Sequence, residues 1–143
     1  MKIELSTKDD GEELAELRVL AMKESLEAIG RFDPDRAKKR FLDGFKPEIT
    51  EKVYLSETLV GFFALRDKED HLYLDHLYIT PSFQGSKIGS KIITIIKHRA
   101  KSADKPLRLG ALKGSRSNDF YTAHGFKKTH EEEYDNYYQF IHS

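Results

Sequence analysis

The chain is 143 residues long with a mass of 16.5 kDa, enough for a single domain with a sizeable core. Its 24 basic and 24 acidic side chains cancel, so net charge draws it neither to nucleic acid nor to an anionic membrane. It has no cysteine, which excludes disulfide scaffolds, thiol nucleophiles and cysteine-based zinc sites, and no apolar run long enough to span a bilayer. Met1-Lys2-Ile3-Glu4 reads as the start of a strand rather than a signal peptide, so a cytoplasmic location is expected.

Ile3 and Leu5 alternate with Lys2 and Glu4, a short strand pattern. Thr7 to Asp10 then supplies cap residues, and Asp9/Glu12 and Asp10/Glu13 have capping-box spacing. Leu14, Leu17, Ala21, Met22, Leu26 and Ile29 recur at helical spacing up to Gly30, a suitable stop. Asp33-Pro34 starts a second helix with Ala37, Phe41 and Phe45 on one side, ending near Gly44 to Pro47. From Glu51 the period becomes strand-like. Residues 52–56 and 59–65 flank Glu57-Thr58 as a tight hairpin, and Lys68-Glu69-Asp70 turns into a strand over 71–79.

Within that strand the apolar parity slips: Leu72 and Leu74 share one parity, Leu77 and Ile79 the other. A bulge at Asp75-His76 would put all four on one face and free backbone groups for a ligand. A strand covered on both faces would instead need no bulge. Next comes Pro81 and the loop Gln84-Gly85-Ser86-Lys87-Ile88-Gly89-Ser90. A helix follows, with Ile88, Ile92, Ile93, Ile95, Ile96 and Ala100 as its apolar stripe. Residues 106–112 return as a strand, so this strand, helix and strand imply a right-handed crossover with locally parallel pairing. Ser115 to His124 reads as a short helix stopped by Gly125. Phe126 to Glu132 and Tyr137 to Ile141 read as a closing hairpin.

A strand, a loop of small residues and a helix N-terminus together suit a phosphate. From Ser82 to Ala103 there are five lysines or arginines and no acid, as suits a polyphosphate, although a solvated helix face accounts for most of them. The nucleotide P-loop G-x-x-x-x-G-K-[ST] fails, because Gly85 and Gly89 are four apart and Ser90 precedes Lys91. No G-x-G-x-x-G dinucleotide fingerprint is present either.

What remains, Gln84-x-x-Lys87-x-Gly89 after Leu77-Tyr78-Ile79-Thr80-Pro81, resembles the Gln/Arg-x-x-Gly-x-Gly/Ala loop of the GCN5-related N-acetyltransferase (GNAT) superfamily. Asn118-Asp119-Phe120-Tyr121 followed by His124-Gly125-Phe126 is similar to that family's FY…GF signature. The order of elements fits over nearly the whole chain. The resemblance implies one α+β domain spanning 1–143, with a mixed, mostly antiparallel twisted sheet of about seven strands and helices on both faces. It also implies acetyl-CoA as cosubstrate, no metal, and direct transfer of the acetyl group to a primary amine of a small molecule or peptide. No nucleic-acid or membrane partner is implied, and a homodimer is compatible with it. A non-catalytic acyl-CoA-binding sensor is the alternative.

On this resemblance the backbone of Gln84, Gly85, Ser86, Lys87, Ile88, Gly89 and Ser90 holds the pyrophosphate. Leu77 and Ile79 offer backbone groups to the pantetheine arm. Lys87 stands where the family has glycine, so it must adopt a backbone conformation that a lysine tolerates, and its ammonium offers a phosphate contact. Ser115 stands where the family often has asparagine, leaving Asn118 as a possible cofactor contact or an ordinary first-turn residue. Tyr121 matches the general acid that protonates the departing thiolate. Asp75 and His76 are the candidates for the base; His76 has the suitable intrinsic pKa, but a lone strand histidine is commonly structural. Arg18, Met22, Ser25, Phe32 and Arg36 are candidates to line the acceptor pocket, alongside plain packing and surface roles.

Overall fold

The computed structural model describes residues 1–142. Among them are seven strands in the spatial order β1-β2-β3-β4-β5-β7-β6, with four α-helices, an α+β architecture. The contacts of the described residues fall into two compact units, residues 1–64 with 76–86, and residues 65–75 with 87–142.

The first unit begins with β1 (Lys2–Leu5), paired antiparallel to β2 (Thr50–Leu55), with Ile3 opposite Val53. The expected alternation holds only for Ile3, because Leu5 is 57% exposed. A 3-10 turn at Lys8–Asp10 precedes α1 (Gly11–Ala28), and here the capping differs from expectation. The Thr7 N–H donates to the Asp10 carboxylate at 2.7 Å, so the capping pair is Thr7/Asp10, ahead of Asp9/Glu12 and Asp10/Glu13. Burial alone would raise the pKa of Asp10, but the Thr7 N–H and the Lys52 ammonium at 3.1 Å outweigh it and hold the carboxyl below its usual range. That ion pair explains why Lys52, in mid-strand, is buried.

Gly30 terminates α1 at φ +68, with the Arg31 N–H returning to the Leu26 carbonyl at 2.9 Å. α2 (Pro34–Gly44) starts as its sequence predicts, with the Asp33 side chain accepting from the Arg36 N–H and proline at its first position. Leu14, Leu17, Phe41 and Phe62 form the core between α1, α2 and β3 (Thr58–Asp67), with Phe45 and Tyr78 packed against it. The β2–β3 hairpin turns at Ser56-Glu57 rather than Glu57-Thr58, because Ser56 takes the left-handed conformation (φ 55). β2 also carries a register irregularity at Val53/Tyr54.

β4 (Leu72–Ile79) is divided between the units. In the second unit it pairs parallel with β5 (Leu107–Leu112) over three residues, Leu72, Tyr73 and Leu74, as the crossover reading requires. Leu72 and Leu74 are buried, whereas Leu77 and Ile79 are only half-buried, so the four do not share one environment. α3 (Ile88–Ala103) buries Ile88, Ile92, Ile93, Ile96 and Ala100, leaving Ile95 half-buried. α4 (Ser117–Ala123) ends at His124, and Gly125 (φ +87) turns the chain. β7 (Asp135–Phe140) pairs antiparallel with both β5 and β6 (Lys127–Glu131), completing the expected hairpin.

Candidate functional site

In the first unit, the end of β4 is fixed by its neighbours. The Thr80 N–H donates to the Val60 carbonyl at 2.9 Å, and Gly61 lets the strand come close. A Cβ at Gly61 would stand 2.8 Å from the Ile79 side chain. The Gln84 side chain reaches back and donates to the Ile79 carbonyl at 3.0 Å, tying the start of the loop to the strand it leaves. Gln84 is therefore a brace, and it already occupies one acceptor site of Ile79. The Ser86 hydroxyl donates to the Phe83 carbonyl. Gly85 has φ +85 with open space where a Cβ would project.

His76 and Tyr78 point from β4 into a cluster of rings. His76 lies edge-on to Phe41 with centroids 5.3 Å apart, and Phe62 is 5.6 Å from Tyr78. Such contacts contribute about 0.5–1.5 kcal/mol each and fix ring orientation. Arg18 of α1 lies over this group. Its Nε donates to the Tyr78 hydroxyl at 3.4 Å, its Nη1 to the Ala37 carbonyl at 3.0 Å, and its guanidinium carbon is 5.7 Å from the centre of the Tyr78 ring.

In the second unit, Asp75 accepts from Arg66 Nε at 2.9 Å, with both side chains about 29% exposed. Successive strand side chains point to opposite faces. The structure thus gives the two base candidates different partners: His76 packs among rings, and Asp75 is held by an arginine. Met22 and Ser25 are half-buried on α1; Phe32 is half-buried, 6.0 Å from the Lys23 ammonium, and Arg36 is exposed.

Lys87 caps α3 in the left-handed conformation, φ 70 and ψ 7, and the Lys91 N–H bonds to its carbonyl at 3.1 Å. A β-carbon-bearing residue there costs about 1–2 kcal/mol, the strain expected of a lysine in a glycine position. Gly85 likewise takes the left-handed conformation, at φ +85. α3 has no acid in its first turn. An open depression of about 420 Å³ beside it is lined by Lys87, Ser90, Lys91, Thr94 and Ile95.

Gly89 answers whether these residues leave room for a ligand. A Cβ there would touch only the Phe120 ring, at 3.4 Å, which is ordinary contact. The protein's own packing does not demand glycine in this first turn. A diphosphate drawn close to the helix N-terminus would.

The Ser90 hydroxyl and His124 Nε2 are 3.0 Å apart, and the Lys97 ammonium donates to the His124 carbonyl. Burial, reinforced by the Lys97 charge, pushes the His124 imidazole below its ordinary pKa. Nothing in the sequence links Ser90 to His124, which lies 34 residues away. Asn118 is fully engaged inside the protein. Its Nδ2 donates to Leu112 O at 2.8 Å and to Ser115 O at 3.0 Å, and its Oδ1 accepts from the Tyr138 hydroxyl at 2.8 Å and from Asn136 at 3.0 Å. Its side chain anchors the start of α4. Tyr121 is 6% exposed, its ring packed against Phe126 and Phe120 at 5.5 and 5.3 Å.

Among the described residues no cluster of potential ligands could hold a metal, and no helix is long and apolar enough to cross a membrane. No curated protein matches the sequence. The fold has close counterparts among solved structures. The PaiA N-acetyltransferase of Thermoplasma acidophilum, solved with coenzyme A, is 18% identical over 99% of this chain and 98% of that one, at a TM-score of 0.83. A GCN5-related N-acetyltransferase from Rhodopseudomonas palustris is 15% identical over 96% and 93%, at 0.78. An N-acetyltransferase from Staphylococcus aureus is 11% identical over 98% and 100%, at 0.74. At these identities the likeness is one of fold. The sequence itself matches the family model described as acetyltransferase (GNAT) domain over residues 21–142, and the chain belongs to that family.

Proposed function

We propose that the protein transfers an acetyl group from acetyl-CoA directly to a primary amine of a small molecule or peptide, within a ternary complex. The observation that carries this reading is the start of α3. Left-handed Gly85 and Lys87, an acid-free first turn and a glycine at position 89 that packing does not require suit a diphosphate.

Acetyl-CoA supplies the activated thioester. The backbone of Gln84 to Ser90 binds its diphosphate, and the Lys87 and Lys91 ammonium groups add charge beside it. Leu77 and Ile79 align the pantetheine arm along β4. His76 takes a proton from the acceptor ammonium, leaving a neutral amine whose lone pair forms the new C–N bond as the C–S bond breaks. Tyr121 donates its phenolic proton to the departing thiolate, and the proton that the new amide nitrogen sheds restores the phenol; a phenol with an ordinary pKa of about 10 carries its proton at neutral pH. Asp75, held by Arg66, is the less suitable base. Asn118 contributes by holding α4, and Tyr121 with it. A cytoplasmic location fits this substrate set.

Calorimetry with acetyl-CoA, followed by thiol release with a panel of primary amines, tests the proposal. Binding and turnover are expected, with Tyr121→Phe cutting kcat by about 10²-fold while leaving acetyl-CoA affinity nearly unchanged. Absence of acetyl-CoA binding at millimolar concentration overturns it. Binding without turnover of any amine would favour an acyl-CoA sensor instead.

A further inference from the structure

We propose that Arg18 sets acceptor specificity by binding a carboxylate, so that the preferred acceptors are amines carrying an anionic group, such as amino acids or peptide-like acids, rather than polyamines. This rests on the acetyltransferase reading above.

Arg18 is half-buried, and among the described residues it pairs with no acid. Its Nε and Nη1 are held by two neutral acceptors, the Tyr78 hydroxyl and the Ala37 carbonyl, while Nη2 has no hydrogen-bond partner among the described residues. Glu16, the acid nearest in sequence on α1, faces Lys38 at 3.6 Å, as does Glu12 at 2.6 Å. Taking a guanidinium partly out of water without a counter-charge is unfavourable, and a site that keeps one is suited to an anion brought by a ligand.

The geometry fits that role. Arg18 is bonded to Tyr78, which sits between Leu77 and Ile79, the two residues proposed to align the acyl donor. The Ala37 and Tyr78 contacts fix the guanidinium plane, and Nη2 is left as the donor edge available to a carboxylate. The same fixed charge repels a second ammonium group, so a diamine loses where an amino acid gains. Arg18 is thus a specificity residue, with no part in proton transfer.

The test compares amine acceptors in acid and amide pairs: glycine with glycinamide, β-alanine with β-alaninamide, and 4-aminobutyrate with its amide, plus 1,4-diaminobutane. The wild-type protein should favour the acid of at least one pair by about tenfold or more in kcat/KM, the scale of one charge-assisted hydrogen bond. Arg18→Met should collapse that ratio towards one, mainly through KM of the acid, with acetyl-CoA affinity unchanged. Comparing the ratio between variants cancels differences in amine basicity. Arg18→Lys keeps the charge without the bond geometry and should retain part of the preference; it also stands in if the methionine variant fails to fold. Equal turnover of acids and amides by the wild-type protein, a preference for the diamine, or an unchanged ratio in both variants overturns the role of Arg18 while leaving acetyl transfer intact. No turnover of any amine, with no heat from acetyl-CoA, overturns both.

Discussion

Gly61 and Tyr78 approach so closely that a Cβ on Gly61 would lie 2.5 Å from the Tyr78 carbonyl oxygen. Side chains do not tolerate that distance to a backbone atom, so any larger residue at 61 must push β4 outward just where the acyl donor is proposed to lie. Gly61→Ala should therefore cost about 1–3 kcal/mol of stability and weaken acetyl-CoA binding together. Thermal unfolding and calorimetry on the same variant check this. A variant with unchanged Tm and unchanged affinity would show that β4 adjusts freely.

Lys87 offers the opposite outcome. Its left-handed backbone is strained for any residue with a Cβ, so Lys87→Gly should raise stability by about 1 kcal/mol, roughly 2–5 °C in Tm for a chain of this size. If the ammonium also contacts a phosphate, acetyl-CoA should bind about tenfold more weakly, and the loss should shrink at high salt. A variant that is more stable yet binds equally well would assign Lys87 no ligand role.

These two glycine-type positions illustrate what the sequence could convey. Local chemistry was legible: Asp33-Pro34 starts α2, and Gly30 and Gly125 take positive φ where helices end. Repeated chemistry was ambiguous. The spacing of an oxygen-bearing cap and an acid three residues on occurs at Thr7, Asp9 and Asp10, and the 3-10 turn at Lys8–Asp10 selects the first. Ser56 shifted the hairpin by one residue by taking φ 55, which serine does not announce. Lys52 is buried because Asp10, 42 positions earlier, meets it across the fold. The same holds for the site. Arg18 meets Tyr78 across 60 residues and Ser90 meets His124 across 34, and no local pattern encodes either meeting. Gly61 did carry a signal, an isolated glycine inside an apolar strand, which marks close backbone approach.

Gly89 separates packing from ligand binding. Because an alanine methyl would meet only Phe120 at ordinary contact distance, Gly89→Ala should fold normally and gain up to about 1 kcal/mol from helix propensity. The methyl would also occupy the space proposed for the diphosphate, so acetyl-CoA affinity should fall by about tenfold or more. Measuring Tm and Kd in parallel decides it. Lower stability with unaltered affinity would make Gly89 a packing residue alone.

His124 makes stability depend on pH with a definite sign. Burial first, and the Lys97 ammonium second, disfavour its protonated form in the fold. On acidification through the ordinary histidine pKa of about 6.5, the unfolded chain takes up the proton before the folded one does, so folding stability falls as pH drops through this window. Above it both states are neutral and the contribution is constant. Replacing the imidazole with a neutral, non-titrating amide, His124→Gln, should flatten the slope below about pH 6.5 relative to the wild-type protein. It should also remove the hydrogen bond that holds the Ser90 hydroxyl at 3.0 Å. Denaturant unfolding of both proteins at several pH values measures the difference, and subtracting the curves removes the contributions of the other five histidines. Parallel curves would mean that His124 protonates as readily in the fold as outside it, contrary to its half-buried setting beside Lys97.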